Sequence, residues 1–322
     1  MKAVVVSKAG GPEVLEYKEV PTPEVKTGWS LVKIKGFGII HSEIFTRQGK
    51  SPSVKFPRIL GIECVGVIEK TTDAKRLPVG QKVIAMNGEM GRDFDGSYAE
   101  YALLPNDIIH PVETNIPWED LAAIPETFHT AYRALLQLQI DKADSLLIRG
   151  GTSGVGIAGL KLAKAINSNI KVLGTSRKAA AKEEILQLGY DGFVLDDHQK
   201  LQMDQQVDRI FDLIGAATAL DSMNNLKPFG IASITGDMGG VWDIDHFDTV
   251  TAIPNDRYMT SFASYVIDED QLNDLLKLIS DKDVDVHPVK IFSLKQLPEA
   301  HEFLENQIKP GKVVVLPKEE TS

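Results

Sequence analysis

The sequence predicts an α/β protein, a doubly wound parallel sheet joined to a β-rich lobe, and three observations carry that prediction. The run Leu146-Leu147-Ile148 leads into a glycine-rich turn, Arg149 to Gly156, and then into the helix-forming stretch Ile157 to Lys164. From Trp118 onward, strand-like and helix-like segments alternate, an order that implies a parallel sheet. Before Pro117, short β-rich runs are separated by Gly and Pro turns with little helical periodicity.

Taken in order, the β-rich lobe holds the runs Ser30 to Lys35, Cys64 to Glu69 and Lys82 to Ala85. Leu121 to Ile124 then leads to Thr130 to Leu136, which has helical spacing. The strand at 146–148 and its helix are followed by a strand at Ile170 to Gly174, a helix at Ala179 to Leu188, and strands at Val207 to Ile214 and Ile231 to Thr235. The chain closes with a helix at Glu269 to Ser280, a strand at Val286 to Phe292, a helix at Pro298 to Asn306 and the β-run Gly311 to Leu316. That last run has no helix after it. It either returns to the first lobe, making that domain discontinuous, or lies on the edge of the parallel sheet. At 322 residues the chain exceeds the usual single-domain length of about 100–200 residues. The expected division is 1–118 with 263–322 as one domain and 119–262 as the other.

The turn carries the most chemistry. Gly151, Gly154 and Gly156, spaced G-x-x-G-x-G, let the backbone reverse and approach a ligand, while the next helix points its first N–H groups at an anion. With a strand before it and a helix and strand after it, the segment Gly151-Thr152-Ser153-Gly154-Val155-Gly156 reads as a pyrophosphate cradle. The next strand ends in Thr175-Ser176-Arg177-Lys178, where an NAD site usually places an acid for the ribose hydroxyls. A hydroxyl and two cations stand there instead. Ser176, Arg177 and Lys178 suit a 2′-phosphate, which predicts NADPH over NADH. Gly215 and Gly236 follow the ends of two later strands, where ligands of such sheets sit, and are expected cofactor neighbours.

Composition excludes several classes. The chain has 45 acids against 35 Lys and Arg, a net charge of −10, which disfavours nucleic acid and anionic membranes. No apolar stretch is long enough to span a bilayer, and there is no clear internal repeat. The single cysteine, Cys64, cannot form an internal disulfide, and the apolar run in Met1 to Val6 is short for a signal peptide, so a cytoplasmic location is expected.

Several segments together resemble the medium-chain dehydrogenase/reductase superfamily, and within it the zinc-independent quinone oxidoreductase branch. They are Met1-Lys2-Ala3-Val4 with Gly10 to Leu15, Pro57 to Ile68, Gly96 to Tyr101, Ile124 to Tyr132, the glycine turn, and Gly311-Lys312-Val313-Val314. The resemblance covers nearly the whole chain. It implies a GroES-like β-barrel domain, a Rossmann domain, NADPH as cofactor and commonly a homodimer. It also places Thr130 near the nicotinamide and phosphates.

Zinc relatives hold their metal at positions that match Ile40, Ile62 and Glu126. Two aliphatic side chains cannot donate electron pairs, and one carboxylate does not make a tetrahedral N/S site. The four cysteines of the family's structural zinc lobe are missing too. No metal is expected. Against the quinone reductases, the Asn and Tyr that line the family's pocket are here Ile40 and Phe45, which makes the pocket apolar. A quinone or conjugated enone is already electrophilic and needs no Lewis acid, so the expected reaction is hydride transfer to such an acceptor. His41, Ser42 and Glu126 are the candidates for oxygen contact or proton delivery. Tyr98 reads as part of a structural turn, and the loop Asn87 to Asp95 as either a plain surface loop or a mobile rim. Two other functions stay open: a zinc-free NADPH-dependent alcohol or carbonyl dehydrogenase, and a non-catalytic NADPH-binding regulatory protein.

Overall fold

The computed structural model of the chain describes residues 1–87, 89–248, 250–264, 267–306 and 309–317. In chain order the first elements are β1 (Lys2–Val6), β2 (Leu15–Glu19), β3 (Trp29–Ile39), α1 (His41–Arg47), β4 (Glu63–Lys70), β5 (Lys82–Met86), β6 (Tyr101–Pro105), β7 (Ile109–Pro111), α2 (Trp118–Leu121) and α3 (Pro125–Gln137). There follow β8 (Ser145–Arg149), α4 (Gly154–Ile166), β9 (Lys171–Ser176), α5 (Lys182–Gln187), β10 (Gly192–Asp197), β11 (Lys200–Gln202), β12 (Val207–Asp212), α6 (Ala219–Asn224), β13 (Leu226–Ile234) and β14 (Tyr258–Ser261). The last are α7 (Glu269–Asp281), β15 (Lys290–Ser293), α8 (Leu297–Glu305) and β16 (Val313–Leu316).

The chain divides into two compact units, Met1–Glu126 with Tyr265–Ser280 and Val286–Ser322, and Thr127–Ser264 with Asp281–Asp285. In the first unit a seven-stranded sheet runs β15-β16-β3-β4-β5-β7, with β6 pairing β3, and β1 and β2 form a separate antiparallel pair. Most residues of β1, β3, β4 and β5 are buried, in consecutive runs. Val4, Val32, Phe37, Leu60, Cys64, Val83 and Val313 are among the buried residues of one cluster, each such large side chain contributing roughly 1.5–3 kcal/mol by leaving water. The closing strand β16 lies antiparallel to β3, with Val313 opposite Ile39. The last β-run therefore returns to the first lobe.

The second unit has the sheet order β11-β10-β9-β8-β12-β13-β14. All its pairings are parallel except that of β11 with β10. Without β11, the order in sequence terms is 3-2-1-4-5-6, that of a doubly wound dinucleotide fold whose switch point lies between β8 and β12. Leu147, Val194, Val207 and Ile210 pack its core. Such strands are buried on both faces, so they read as unbroken apolar runs such as Leu146-Leu147-Ile148.

Some expected elements are shorter than the sequence suggests. The strand expected at 286–292 is Lys290–Ser293, with the N–H of Val289 just before it donating to the carbonyl of Lys312. The helix expected over 179–188 is a 3-10 turn at Ala179–Ala181 followed by α5. Strand β12 stops at Asp212, whose carboxylate takes the next amides into a turn.

Candidate active site

In the second unit, the turn between β8 and α4 lies at the carboxyl end of the first strand of the fold. The spacing predicts the tight reversal at Gly151, Gly154 and Gly156. The left-handed conformation is instead at Gly150, with φ of +89°. Ser153 caps α4: its Oγ accepts the N–H of Gly156 at 3.0 Å and donates to the carbonyl of Gly150 at 2.8 Å. Thr175 Oγ1 on β9 accepts the N–H of Gly150 at 3.1 Å. Thr152, Ser153, Gly154 and Val155 are partly exposed while Gly151 and Gly156 are buried. The first amides of α4 have no carbonyl one turn earlier to bond to, which suits an anion.

Parallel pairing of β8 with β9 puts Ser176 at the same end of the sheet as the glycine turn. The N–H of Lys178 donates to Ser176 Oγ at 3.2 Å, and Arg177 and Lys178 are exposed. Gly215 follows β12, where the buried Asp212 carboxylate accepts the N–H of Ile214 at 2.8 Å and of Gly215 at 3.1 Å. The hydroxyls of Thr218 and Ser222 donate to the same group. Burial raises the pKa of Asp212 despite these donors. Gly236 follows β13, and Thr130 lies buried on α3. These residues fit a dinucleotide: a capped helix opens behind a glycine turn at the switch point, with a hydroxyl and two cations at the end of the second strand.

One residue the sequence reading passed over organises the end of β8. Arg149 is fully buried, grips Asp196 through Nε and Nη2 at 2.7 and 2.8 Å, and has Asp221 at 3.0 Å. Its place one residue before the glycines gave no hint of this, because both partners are far along the chain.

In the first unit, helix α1 sorts the candidates by face. His41 and Phe45, one turn apart, are exposed, while Glu43 and Arg47, also one turn apart, are buried. Ser42 Oγ is buried and has no hydrogen-bond partner among the described residues. Surrounding protein desolvates the His41 ring and lowers its pKa below the ordinary imidazole value, although part of the residue is exposed. Ile40 is partly exposed and Ile62 nearly buried.

Glu43, which the sequence reading missed, ties Ile40 and Ile62 together. Its Oε2 accepts the N–H of Ile40 at 2.8 Å and its Oε1 accepts that of Ile62 at 3.1 Å. The first bond is half of a capping box; Ile40 has no acceptor to supply the other half, so the usual Ser/Thr-x-x-Glu signal is absent. Burial, helped by the nearby Glu63 charge, raises the Glu43 pKa to about 7.

Behind Glu43 runs a buried polar chain. Arg47 Nη1 donates to His301 Nδ1 at 3.1 Å, since a guanidinium has no acceptor. The remaining imidazole proton is therefore on Nε2, which donates to Tyr98 Oη at 2.9 Å. Burial, with the nearby Glu43 charge, raises the Tyr98 pKa, so the phenol stays neutral. Burial, with the Arg47 charge, lowers the His301 pKa to about 3, so the ring stays neutral. Arg47 Nη2 also meets Glu305 Oε1 at 2.6 Å. Tyr98 is thus a structural residue as read, but as part of a hydrogen-bonded network.

Glu63 pairs with Lys312, Nζ to Oε1 at 2.6 Å. Its Oε2 accepts the N–H of Glu126 at 2.7 Å, which fixes the start of α3. The loop 87–95, expected as a plain surface loop or a mobile rim, is tied down by buried Met90 and by N–H bonds from Asn87 to Ile62 O and from Gly91 to Phe94 O. Gly88 of that loop lies outside the described residues.

The donor set at Ile40, Ile62 and Glu126 does not fit a zinc ion, because two of the three positions are hydrocarbon. Among the described residues no three His, Cys, Asp or Glu side chains are grouped to hold a metal. Likewise no helix among them is long and apolar enough to cross a membrane.

Comparison with known proteins agrees with this architecture. A family model described as alcohol dehydrogenase GroES-like domain matches residues 26–114, and one described as zinc-binding dehydrogenase matches residues 188–315. The chain is 30% identical over 281 residues to the quinone oxidoreductase of Lama guanicoe, covering 82% of this chain and 81% of that protein. It is 28% identical over 328 residues to the chloroplastic NADPH-dependent alkenal/one oxidoreductase of Arabidopsis thaliana, covering 98% of this chain and 80% of the relative. The solved quinone oxidoreductase from Coxiella burnetii superposes with a TM-score of 0.81 at 25% identity, covering 99% of each chain.

Proposed function

Because the chain belongs to the medium-chain dehydrogenase/reductase superfamily, we propose that it is a metal-free, NADPH-dependent oxidoreductase that transfers hydride to a quinone or conjugated enone. Membership makes it an oxidoreductase acting with a nicotinamide cofactor on a small molecule. NADPH as the cofactor and a conjugated acceptor are our reading. The observation that carries it is the donor set: hydrocarbon at Ile40 and Ile62, where a Lewis acid would need ligands, favours a substrate that is electrophilic without one.

In this reading the turn Gly151-Thr152-Ser153-Gly154-Val155-Gly156 and the start of α4 bind the pyrophosphate, with Thr130, Gly215 and Gly236 as further cofactor contacts. Ser176, Arg177 and Lys178 bind the 2′-phosphate, Arg177 through its planar fork and Lys178 as a point charge. When bound, the reduced nicotinamide supplies the hydride. Ile40, Phe45 and Ile62 provide an apolar wall that excludes water from the acceptor. Ser42 Oγ, which has no other partner among the described residues, donates a hydrogen bond to the acceptor oxygen. His41, its pKa below the ordinary value, is neutral at neutral pH and offers a second such donor; Glu126 is the third candidate for delivering the proton. A cytoplasmic location and a homodimer joined along β14, the last strand of its sheet, complete the proposal.

The test is steady-state oxidation of NADPH and NADH by the purified protein with a quinone, an enone or a saturated aldehyde, EDTA present throughout. Turnover of quinone or enone with NADPH preferred supports the reading. Turnover of an aldehyde and its alcohol with negligible enone activity would replace it with a carbonyl dehydrogenase. Cofactor binding with no turnover would make the chain a regulatory nucleotide-binding protein.

A further inference from the structure

The glycine turn of the second unit is fastened from below by a side chain that no spacing pattern flagged. Tyr190 lies between α5 and β10, is 3% exposed, and points its hydroxyl at the carbonyls of Gly151 and Gly156 at 2.8 and 3.1 Å. Two glycines make room for it. A Cβ on Gly174 would lie 2.9 Å from the Tyr190 ring, and one on Gly151 would lie 3.1 Å from its Oη. The space beside Gly151 is thus filled by protein, and not kept open for a ligand as its place in the motif suggested.

A peptide unit is planar and trans, so its C=O and N–H point in opposite directions. Holding the Gly151 carbonyl toward Tyr190 turns the N–H of Thr152 the other way, out of the sheet side of the turn. The carbonyl of Gly156 is held in the same grip, so both ends of the motif are fixed by one phenol. Burial raises the Tyr190 pKa, which keeps that phenol a neutral donor.

We infer that Tyr190 is a positioning residue for the dinucleotide turn, orienting the Thr152 amide for the pyrophosphate through the Gly151 carbonyl. The inference rests on the cofactor reading of this turn. It assigns Tyr190 no contact with the cofactor. Without the hydroxyl, the Gly151–Thr152 peptide would be free to rotate, and the cost would fall on groups that bind pyrophosphate and on no others.

The experiment measures dissociation constants of NADPH and of 2′-AMP, which carries the 2′-phosphate but no pyrophosphate, for the unaltered chain and for Tyr190→Phe. The expected result is an NADPH constant raised about tenfold, the size of one lost hydrogen bond, with 2′-AMP binding and kcat at saturating NADPH unchanged. Gly174→Ala, whose methyl pushes the ring aside, should reproduce the NADPH loss. An NADPH constant within about twofold of the unaltered chain in Tyr190→Phe would overturn the inference, as would equal weakening of NADPH and 2′-AMP, the mark of a merely structural role. Failure of the unaltered chain to bind NADPH would overturn the cofactor reading and the inference with it.

Discussion

Lys312 Nζ lies 2.6 Å from Glu63 Oε1, both side chains at most 5% exposed, and the pair occupies the space where Gly38 has no Cβ. A Cβ there would lie 2.0 Å from Lys312 Cε and 2.2 Å from Glu63 Oε1. Strand β16, arriving antiparallel beside β3, delivers the lysine to a carboxylate on β4. Breaking a buried pair from one side leaves a charge without compensation, which costs about 3–5 kcal/mol. Lys312→Met should lower unfolding free energy by that amount. Adding Glu63→Gln should return part of it, and a denaturation double-mutant cycle reads the coupling.

Glu43 links stability to pH. Its folded pKa of about 7 lies above the ordinary 4.5, so the folded state binds the extra proton between these values. Stability from this group is therefore fully present below about pH 4.5 and declines as pH rises through 7, with a slope of at most about 1.4 kcal/mol per pH unit. Glu43→Gln removes that slope and, by setting an amide N–H against a backbone N–H of Ile40 or Ile62, costs about 1–3 kcal/mol. Urea denaturation at a series of pH values measures both.

Arg177→Ala and Lys178→Ala address cofactor choice. Each should raise the KM for NADPH by about tenfold, roughly 1.4 kcal/mol, and leave that for NADH unchanged. Equal losses for both cofactors would show that these cations do not read the 2′-phosphate.

Removal of metals should do nothing. Dialysis against a chelator is expected to leave kcat with an enone and the melting temperature unchanged, because Ile40 and Ile62 offer no lone pair. Activity lost to the chelator and restored by zinc would place a metal where the donor set opposes one.

The free edge of β14 bears on assembly. Tyr258 and Met259 are exposed at 55% and 36% on the strand that ends the sheet among the described residues. Sedimentation should give twice the chain mass, and Met259→Lys, a charge placed on a pairing edge, should shift it toward the monomer.

Much of the fold was legible because its signals are local. The glycine turn, its capped helix and the alternation after Trp118 are patterns within a few residues of one another, and the doubly wound sheet follows from them. The closing strand Val313–Leu316 was ambiguous because its partner, β3, lies some 270 residues away, and an apolar run does not say which strand it will meet. The buried groups behind the site were missed for the same reason. Glu43 answers amides at Ile40 and Ile62, His301 joins Arg47 to Tyr98, and Tyr190 reaches back to Gly151 and Gly156. Each is an ordinary polar residue until folding supplies its partner. His41 and Phe45 were found by family position, whereas the bonds made by Glu43 and Arg47, on the opposite face of the same helix, depend on partners far along the chain.

The most direct test of metal-free hydride transfer to a conjugated acceptor follows an isotope. NADPH carrying deuterium at both C4 positions of the nicotinamide is incubated with the protein, EDTA and an enone, and the product is read by mass spectrometry and NMR. The account predicts one deuterium at the β-carbon of the saturated ketone and none from solvent at that position. Reduction with no label at the β-carbon, deuterium at the carbonyl carbon of an allylic alcohol, or tight NADPH binding with no product would contradict it.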